Sequence, residues 1–286
     1  MEKNILIHTL ASNYPTSTNK LPVNYKHLIL TRFNLQYDPE KDIHIHSSWL
    51  DERFRLFEMY CLPSIVGQTC QQFDWVIFVS DQTPELYQQR LQQLTQAYGN
   101  IHIELCPYYQ NFNDLYKSMG EKYIGENDFL LSTRIDNDDM LAANYVEMLH
   151  NHISTSTPCP VVITFTRGIQ WFEHNQVAFG VRYNKNHFLN FWEKKPTIQT
   201  SLGVDHTLIH TKDLLELEEP DMWCEIVHQS NLCNSYVPKY RYSLTYTTKN
   251  YPIRMEAKRG EQWRFLLLEH VKFRYHQLVR WMKKLA

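Results

Sequence analysis

Residues 129–140 read Phe129-Leu130-Leu131-Ser132-Thr133-Arg134-Ile135-Asp136-Asn137-Asp138-Asp139-Met140. An apolar run carrying β-branched Thr133 and Ile135 has the composition of a buried strand. It stops abruptly in three carboxylates. Carboxylates this close repel one another, so positive charge is needed among them. A hard divalent cation, Mg²⁺ or Mn²⁺, favours oxygen ligands and is commonly shared between protein carboxylates and substrate phosphates. The plain alternative is a solvated Asp/Asn turn.

Upstream, the same logic repeats. His27–Leu30 is a short apolar run leading to Thr31-Arg32-Phe33-Asn34, and Phe73–Val79 is apolar and ends in Ser80-Asp81. Between them, Ser48 with Asp51 has the form of a capping box, and Leu50, Phe54, Phe57 and Cys61 recur at helical spacing. Pro63 should end or bend this helix, or open a second short one. Pro84–Tyr98 reads as a helix closed by Gly99, Ile101–Leu105 as a strand, and Phe112–Tyr123 as a helix. Strand and helix in alternation predict a mostly parallel α/β sheet. Ligands of such sheets bind beyond the carboxyl ends of the strands. Arg32, Asp81 and Asp136–Asp139 all fall there.

The second half has weaker punctuation. Val161–Thr166 is expected to be a strand, Gly168–Tyr183 a hairpin, Leu208–Leu217 a helix, and Met222–Ser230 a short helix entered near Asp221. From Lys249 onward the charge balance changes. Ten basic residues (Lys249, Arg254, Lys258, Arg259, Arg264, Lys272, Arg274, Arg280, Lys283, Lys284) face only Glu256, Glu261 and Glu269. Trp263, Leu267, Val271, Leu278, Met282 and Leu285 form a helical apolar stripe there. That stripe either packs on the rest of the chain or docks on an anionic membrane.

Composition removes several classes. The 286 residues carry a net charge of −2, which disfavours general nucleic-acid binding. Glycine numbers only 8, and neither G-x-G-x-x-G nor G-x-x-x-x-G-K-[ST] occurs. Any nucleotide must be held otherwise, and a metal-bridged diphosphate is one such way. The 6 cysteines are scattered without C-x-x-C, as in reduced intracellular proteins. No apolar segment approaches a membrane span or a signal h-region, so a cytoplasmic location is expected, at most against the inner face of the membrane. His44-Ile45-His46 has H-x-H spacing but no third ligand nearby, and Ser64 and Ser80 lack a catalytic partner pattern.

Several segments together resemble the bacterial rhamnosyltransferase family within the GT-A nucleotide-sugar glycosyltransferases. They are 27–34 (HLILTRFN), 49–58 (WLDERFRLFE), 62–69 (LPSIVGQT), 73–78 (FDWVIF), 133–139 (TRIDNDD) and 223–231 (WCEIVHQSN). The resemblance implies a GT-A-like, Rossmann-like fold, expected over residues 1–249; the charge balance and apolar stripe mark 250–286 as a basic amphipathic helical extension. It implies a metal-dependent hexosyltransferase, with a nucleotide-sugar donor, a glycan or lipid-linked saccharide acceptor, and a role in surface-polysaccharide synthesis. Thr31, Arg32, Asp81, Arg134 and Asp136 would surround the nucleotide. Asp136, Asp138 and Asp139 would hold Mn²⁺ or Mg²⁺, with Asp138 the direct ligand and His228 a further one. His228 could equally cap or pack a short helix, and Trp223 reads as packing rather than sugar stacking.

An inverting transfer needs a carboxylate base. Asp221, Glu225 and Asp205 are the candidates, with Asp221 equally an N-cap. Two other functions stay open: a nucleotidyl- or phosphoryl-transfer enzyme using the same aspartates, and a non-catalytic saccharide-binding protein.

Overall fold

The computed structural model describes residues 24–35, 42–107, 112–153, 157–203, 214–228, 240–245 and 248–285. Strand β1 (Tyr25–Arg32) lies between β2 (Asp74–Ser80) and β4 (Phe129–Arg134), parallel to both, and β3 (Ile101–Cys106) continues the sheet beside β2. On the other side of β4 come β9 (Leu189–Lys194), β6 (Val161–Phe165) and β10 (Leu214–Leu217). Only β9 runs against the rest. The architecture is the expected mostly parallel sheet flanked by helices.

Side-chain alternation divides the central strands between two cores. Ile29, Trp75, Ile77, Val79 and Leu131 face one cluster; Leu28, Leu30, Val76, Phe78 and Leu130 face the other. The first takes apolar residues of α1 (Ser47–Leu56), α2 (Leu62–Val66), α3 (Glu85–Thr95) and α5 (Tyr145–Asn151), the second those of α4 (Phe112–Ile124). Burial on both faces is why β1 and β2 read as apolar runs rather than alternating ones.

A second sheet has the order β12-β8-β7-β11-β5, from β5 (Met140–Leu141), β7 (Arg167–Phe172), β8 (Val177–Arg182), β11 (Trp223–Val227) and β12 (Arg241–Thr245). β7 and β8 form the expected hairpin. Trp223 is a core residue: its indole is stacked on Phe188 with centroids 4.9 Å apart and donates to the Phe165 carbonyl at 2.8 Å.

Several sequence expectations are corrected. Leu214–Leu217 is a strand, and the rest of the helix expected over 208–217 lies outside the described residues. Of the helix expected over Met222–Ser230, Trp223–Val227 is a strand, paired along its length with β7 and at Trp223 and Cys224 with β5, while residues 229–230 lie outside the described residues. Short apolar runs satisfy either period, and here sheet pairing wins. The expected capping box is absent: α1 begins after His46, which makes no side-chain cap bond, and Ser48 lies inside the first turn. The chain passes from α1 through a π-turn (Phe57–Cys61) into α2, with Pro63 in the first turn of α2.

Helix α6 (Arg259–Leu285) packs by Phe265 and Leu266 against Phe172, Phe179 and Val177. Of the apolar stripe, for which the sequence leaves packing on the chain and docking on a membrane both open, Trp263, Leu267 and Val271 face outward, at 64, 66 and 58% exposure. Side chains from residue 276 onward lie outside the described set.

Beneath the sheet, His27 Nδ1 meets His150 Nε2 at 2.9 Å, and His27 Nε2 meets Thr133 Oγ1 at 2.8 Å. Burial lowers the pKa of His27 well below the usual value, with the neighbouring His150 adding to the effect, and burial brings His150 down to about 4. Both are therefore neutral in the fold but take up protons in the unfolded chain below about pH 6.5. Stability is full above that pH and falls as pH drops towards 4. Replacing His150 by Gln, which keeps a polar partner for His27, should reduce the slope of unfolding free energy in this window by about 1.4 kcal/mol per pH unit. Urea unfolding from pH 7 to 4.5 measures it; an unchanged slope would disprove the assignment.

Gly168 pairs with Trp223 across β7 and β11. A Cβ at Gly168 would meet Trp223 Cδ2 at 2.1 Å. Gly168→Ala should therefore destabilise the protein by about 2–3 kcal/mol, the cost of forcing a methyl into a packed core. An unshifted urea midpoint would contradict this.

Candidate active site

The carboxylates leave the carboxyl end of β4 within four residues of chain, beside the end of β1. Their exposure is graded. The side chain of Asp136 is 30% exposed, that of Asp138 10%, and that of Asp139 2%. An incoming ligand therefore meets Asp136 first.

Each carboxylate has its own cations. Arg134 Nη2 reaches Asp136 at 3.1 Å, and Arg32 Nη2 reaches it at 3.4 Å. Burial alone would raise the pKa of Asp136, but these two guanidinium groups outweigh it and hold the carboxyl well below its usual range. Asp138 Oδ2 accepts from Arg53 Nη1 at 2.5 Å and lies 2.9 Å from His228 Nε2. Burial again opposes ionisation, and the His228 bond with the Arg53 charge lowers the pKa on balance.

Asp139 differs. Its Oδ1 accepts from the Ile226 amide at 2.9 Å, and its Oδ2 lies 2.7 Å from His187 Nε2. Burial, with the charges of Asp138 and Asp136, raises its pKa despite the histidine. Burial would lower His187, but the bond to Asp139 and the surrounding carboxylates raise it. Crowded negative charge thus holds the imidazole protonated.

The frame around these groups is specific. Asn137 donates to the Phe33 carbonyl at 2.7 Å, tying the Asp loop to the end of β1. Arg55, two residues beyond Arg53 on α1, forms a fork with Glu173 at 2.6 and 2.7 Å, and Tyr60 donates to Glu173 at 2.8 Å. The Glu173 amide bonds the Val227 carbonyl at 3.0 Å. Helix α1, the β7–β8 turn and the end of β11 are thereby locked together, which places Arg53 and His228 on the same carboxylate.

These residues fit a divalent cation. Among the described residues one group of carboxylates and imidazoles converges closely enough: ligand atoms of Asp136, Asp139 and His187 lie within 4.8 Å of one another. Two carboxylate oxygens and an imidazole suit Mn²⁺, provided the histidine gives up its proton. Asp138 Oδ2, expected as the direct ligand, is shared between Arg53 and His228.

The remaining predicted residues divide. Arg32, Arg134, Asp136, Asp138, Asp139 and His228 are in one cluster. Asp81 is exposed at the end of β2, bonded to its neighbour Gln82, two strands from β4 and so about 10 Å along the sheet edge. Thr31 is not at the site: it is fully buried and its hydroxyl accepts from the Trp75 indole at 2.9 Å. Glu225 precedes Ile226 on β11, accepts from Gln170 at 2.6 Å, and its charge acts on His187. Asp221 has a left-handed backbone, with φ 53°, in the turn that enters β11, four residues before Glu225. Asp205 lies outside the described residues. His44 is buried, and His46 pairs with Asp42 at 3.0 Å, so the two do not act as a ligand pair.

Two site residues escaped the sequence reading. Arg53 sits in the charged stretch Asp51-Glu52-Arg53, which has the look of a solvated helix face. His187 follows Asn184-Lys185-Asn186 and carries no motif.

No curated protein matches the chain. Among solved structures, TarS of S. aureus is 11% identical over 71% of this chain and 37% of its own, with a TM-score of 0.40. Residues 1–349 of TarS give 9% identity, 70% and 60% coverage and a TM-score of 0.38. A structure titled a putative nucleotide-diphospho-sugar transferase from Desulfovibrio desulfuricans G20 gives 9%, 68% and 81%, with a TM-score of 0.35. The chain thus spans less than two thirds of the TarS chains it resembles. A family model described as "Putative rhamnosyl transferase" matches residues 26–240, three quarters of the sequence and every element that builds the carboxylate cluster, and the chain belongs to that family.

Proposed function

We propose that the protein transfers a hexosyl group, a rhamnosyl group being the one its family name indicates, from a nucleoside-diphosphate donor to a saccharide hydroxyl. The acceptor would be a free or lipid-linked glycan of a surface polysaccharide. The observation that supports this best is the convergence of Asp136, Asp139 and His187 at the carboxyl end of the central strand, within 4.8 Å of one another. Held by these groups, a divalent cation would act as a Lewis acid for the departing diphosphate. Arg32 and Arg134 pair with Asp136, the most exposed of the three carboxylates, and guanidinium forks suit phosphate oxygens. Asp138 serves indirectly, fixing Arg53 and His228.

The test is calorimetric titration of nucleoside diphosphates, with and without Mn²⁺. Binding should need the cation, and Asp136→Ala or His187→Ala should weaken it by about 10–100-fold. A second reading is supported by the ion pairs themselves: every carboxylate already has a cation, so arginines could hold the diphosphate unaided. Diphosphate affinity unchanged by chelator would favour that reading and remove the metal.

For the acceptor step we propose Glu225 rather than Asp221 or Asp205, with inversion at the anomeric carbon. The hydroxyl oxygen forms the new bond to that carbon as the sugar–phosphate bond breaks, and its proton passes to the Glu225 carboxylate. Glu225→Gln should lower kcat by about 10²–10⁴-fold while leaving donor binding intact. Full turnover in this variant would eliminate Glu225 as the base.

A further inference from the structure

Helix α6 carries a surface that the carboxylate site does not use. Trp263, Leu267, Leu268, Val271 and Tyr275 are 53–66% exposed, and they make up five of the ten strongly exposed large apolar side chains among the described residues. Four of them follow a strict i, i+4 spacing, so they form one stripe along the helix. Arg264, Lys272 and Arg274 are interleaved with it.

Beside the stripe, the β7–β8 turn and the start of α6 enclose a cleft of about 380 Å³, whose lining includes His174, Asn175, Lys258, Glu261, Arg264 and Leu268. Arg264 is only loosely paired, at 3.8 Å from Glu261, with 73% of its side chain exposed. Cationic donors thus converge next to an apolar edge.

We infer that this face docks on an anionic membrane surface, with the cleft receiving a lipid phosphate and the stripe entering the headgroup layer. Charge selects that occupant. Ten basic against three acidic residues from Lys249 onward stand out in a chain with 29 basic and 31 acidic residues overall. A second copy of the same helix would bring like charges together, whereas anionic lipid neutralises them. Among the described residues no helix is long and apolar enough to cross a membrane, so α6 would lie along the surface.

The turn connects this face to the carboxylates. His174 and Asn175 directly follow Glu173, which is bonded to Arg55 on α1 and to Val227 beside His228. A membrane-bound acceptor would therefore be held near the site, although docking itself does not depend on the transfer reaction.

Flotation of the full chain with phosphatidylcholine vesicles containing roughly 30% phosphatidylglycerol tests this, with phosphatidylcholine vesicles alone as reference. Recovery at low salt should be about tenfold higher on the anionic vesicles and should collapse in roughly 0.5 M salt. Leu267→Asp with Val271→Asp, and separately Lys258→Glu with Arg264→Glu, should each abolish recovery with the circular dichroism spectrum unchanged. No recovery of the unmodified chain on anionic vesicles, or recovery of either double variant equal to that of the unmodified chain, would overturn the inference. So would a concentration-dependent dimer, seen by ultracentrifugation, that Leu267→Asp with Val271→Asp dissolves, since the face would then belong to a second copy.

Discussion

Three carboxylates leave the end of β4 within four residues, and the side chains of two are almost closed to water, at 10 and 2% exposure. Ionised carboxylates in such a place need compensation in both charge and hydrogen bonds. The compensation comes from five different segments: Arg32 from β1, Arg53 from α1, Arg134 from β4, His187 from the loop before β9, and His228 after β11. Satisfying one short loop therefore fixes how the two sheets and the first helix sit against one another.

The same demand explains the surrounding framework. A buried Arg53–Asp138 pair is useful only if α1 cannot shift, because either partner left alone would be a costly buried charge. The Arg55–Glu173–Tyr60 cluster supplies that rigidity, and the Glu173 amide passes it on to the end of β11. Glu225 is carried in the middle of this strand and His228 just beyond its end, whereas Asp221 lies in the turn before its start. Support and chemistry share a scaffold, as a site that must hold its geometry within fractions of an ångström requires.

Much of the first half was legible because local rules and the fold agree there. Apolar runs closed by polar residues gave β1, β2 and β4 to within two or three residues, and alternation with helices gave the parallel sheet. Further along, local rules lose their grip. Trp223–Val227 lies next to a plausible helix cap, yet it is a strand because β7 and β5 offer backbone partners on both sides. Leu214–Leu217 is a strand for the same reason, paired with β6. On α6 the apolar residues occupy more than one face. Spacing alone could not tell which face Phe172 and Phe179 would cover, and Phe265 won over Trp263.

By itself the sequence determined that a cluster of carboxylates would end a buried strand, because apolar run and Asp loop are contiguous in the chain. It also determined that cations must answer them. Only the tertiary structure decided which cations. Arg53 precedes Asp138 by 85 residues and His187 follows Asp139 by 48; Arg53 lies in the family-like segment 49–58 but nothing in its spacing points to Asp138, and His187 lies in no motif. Their approach depends on how α1 and the loop before β9 pack over the sheet, a long-range consequence of burial that no local spacing encodes.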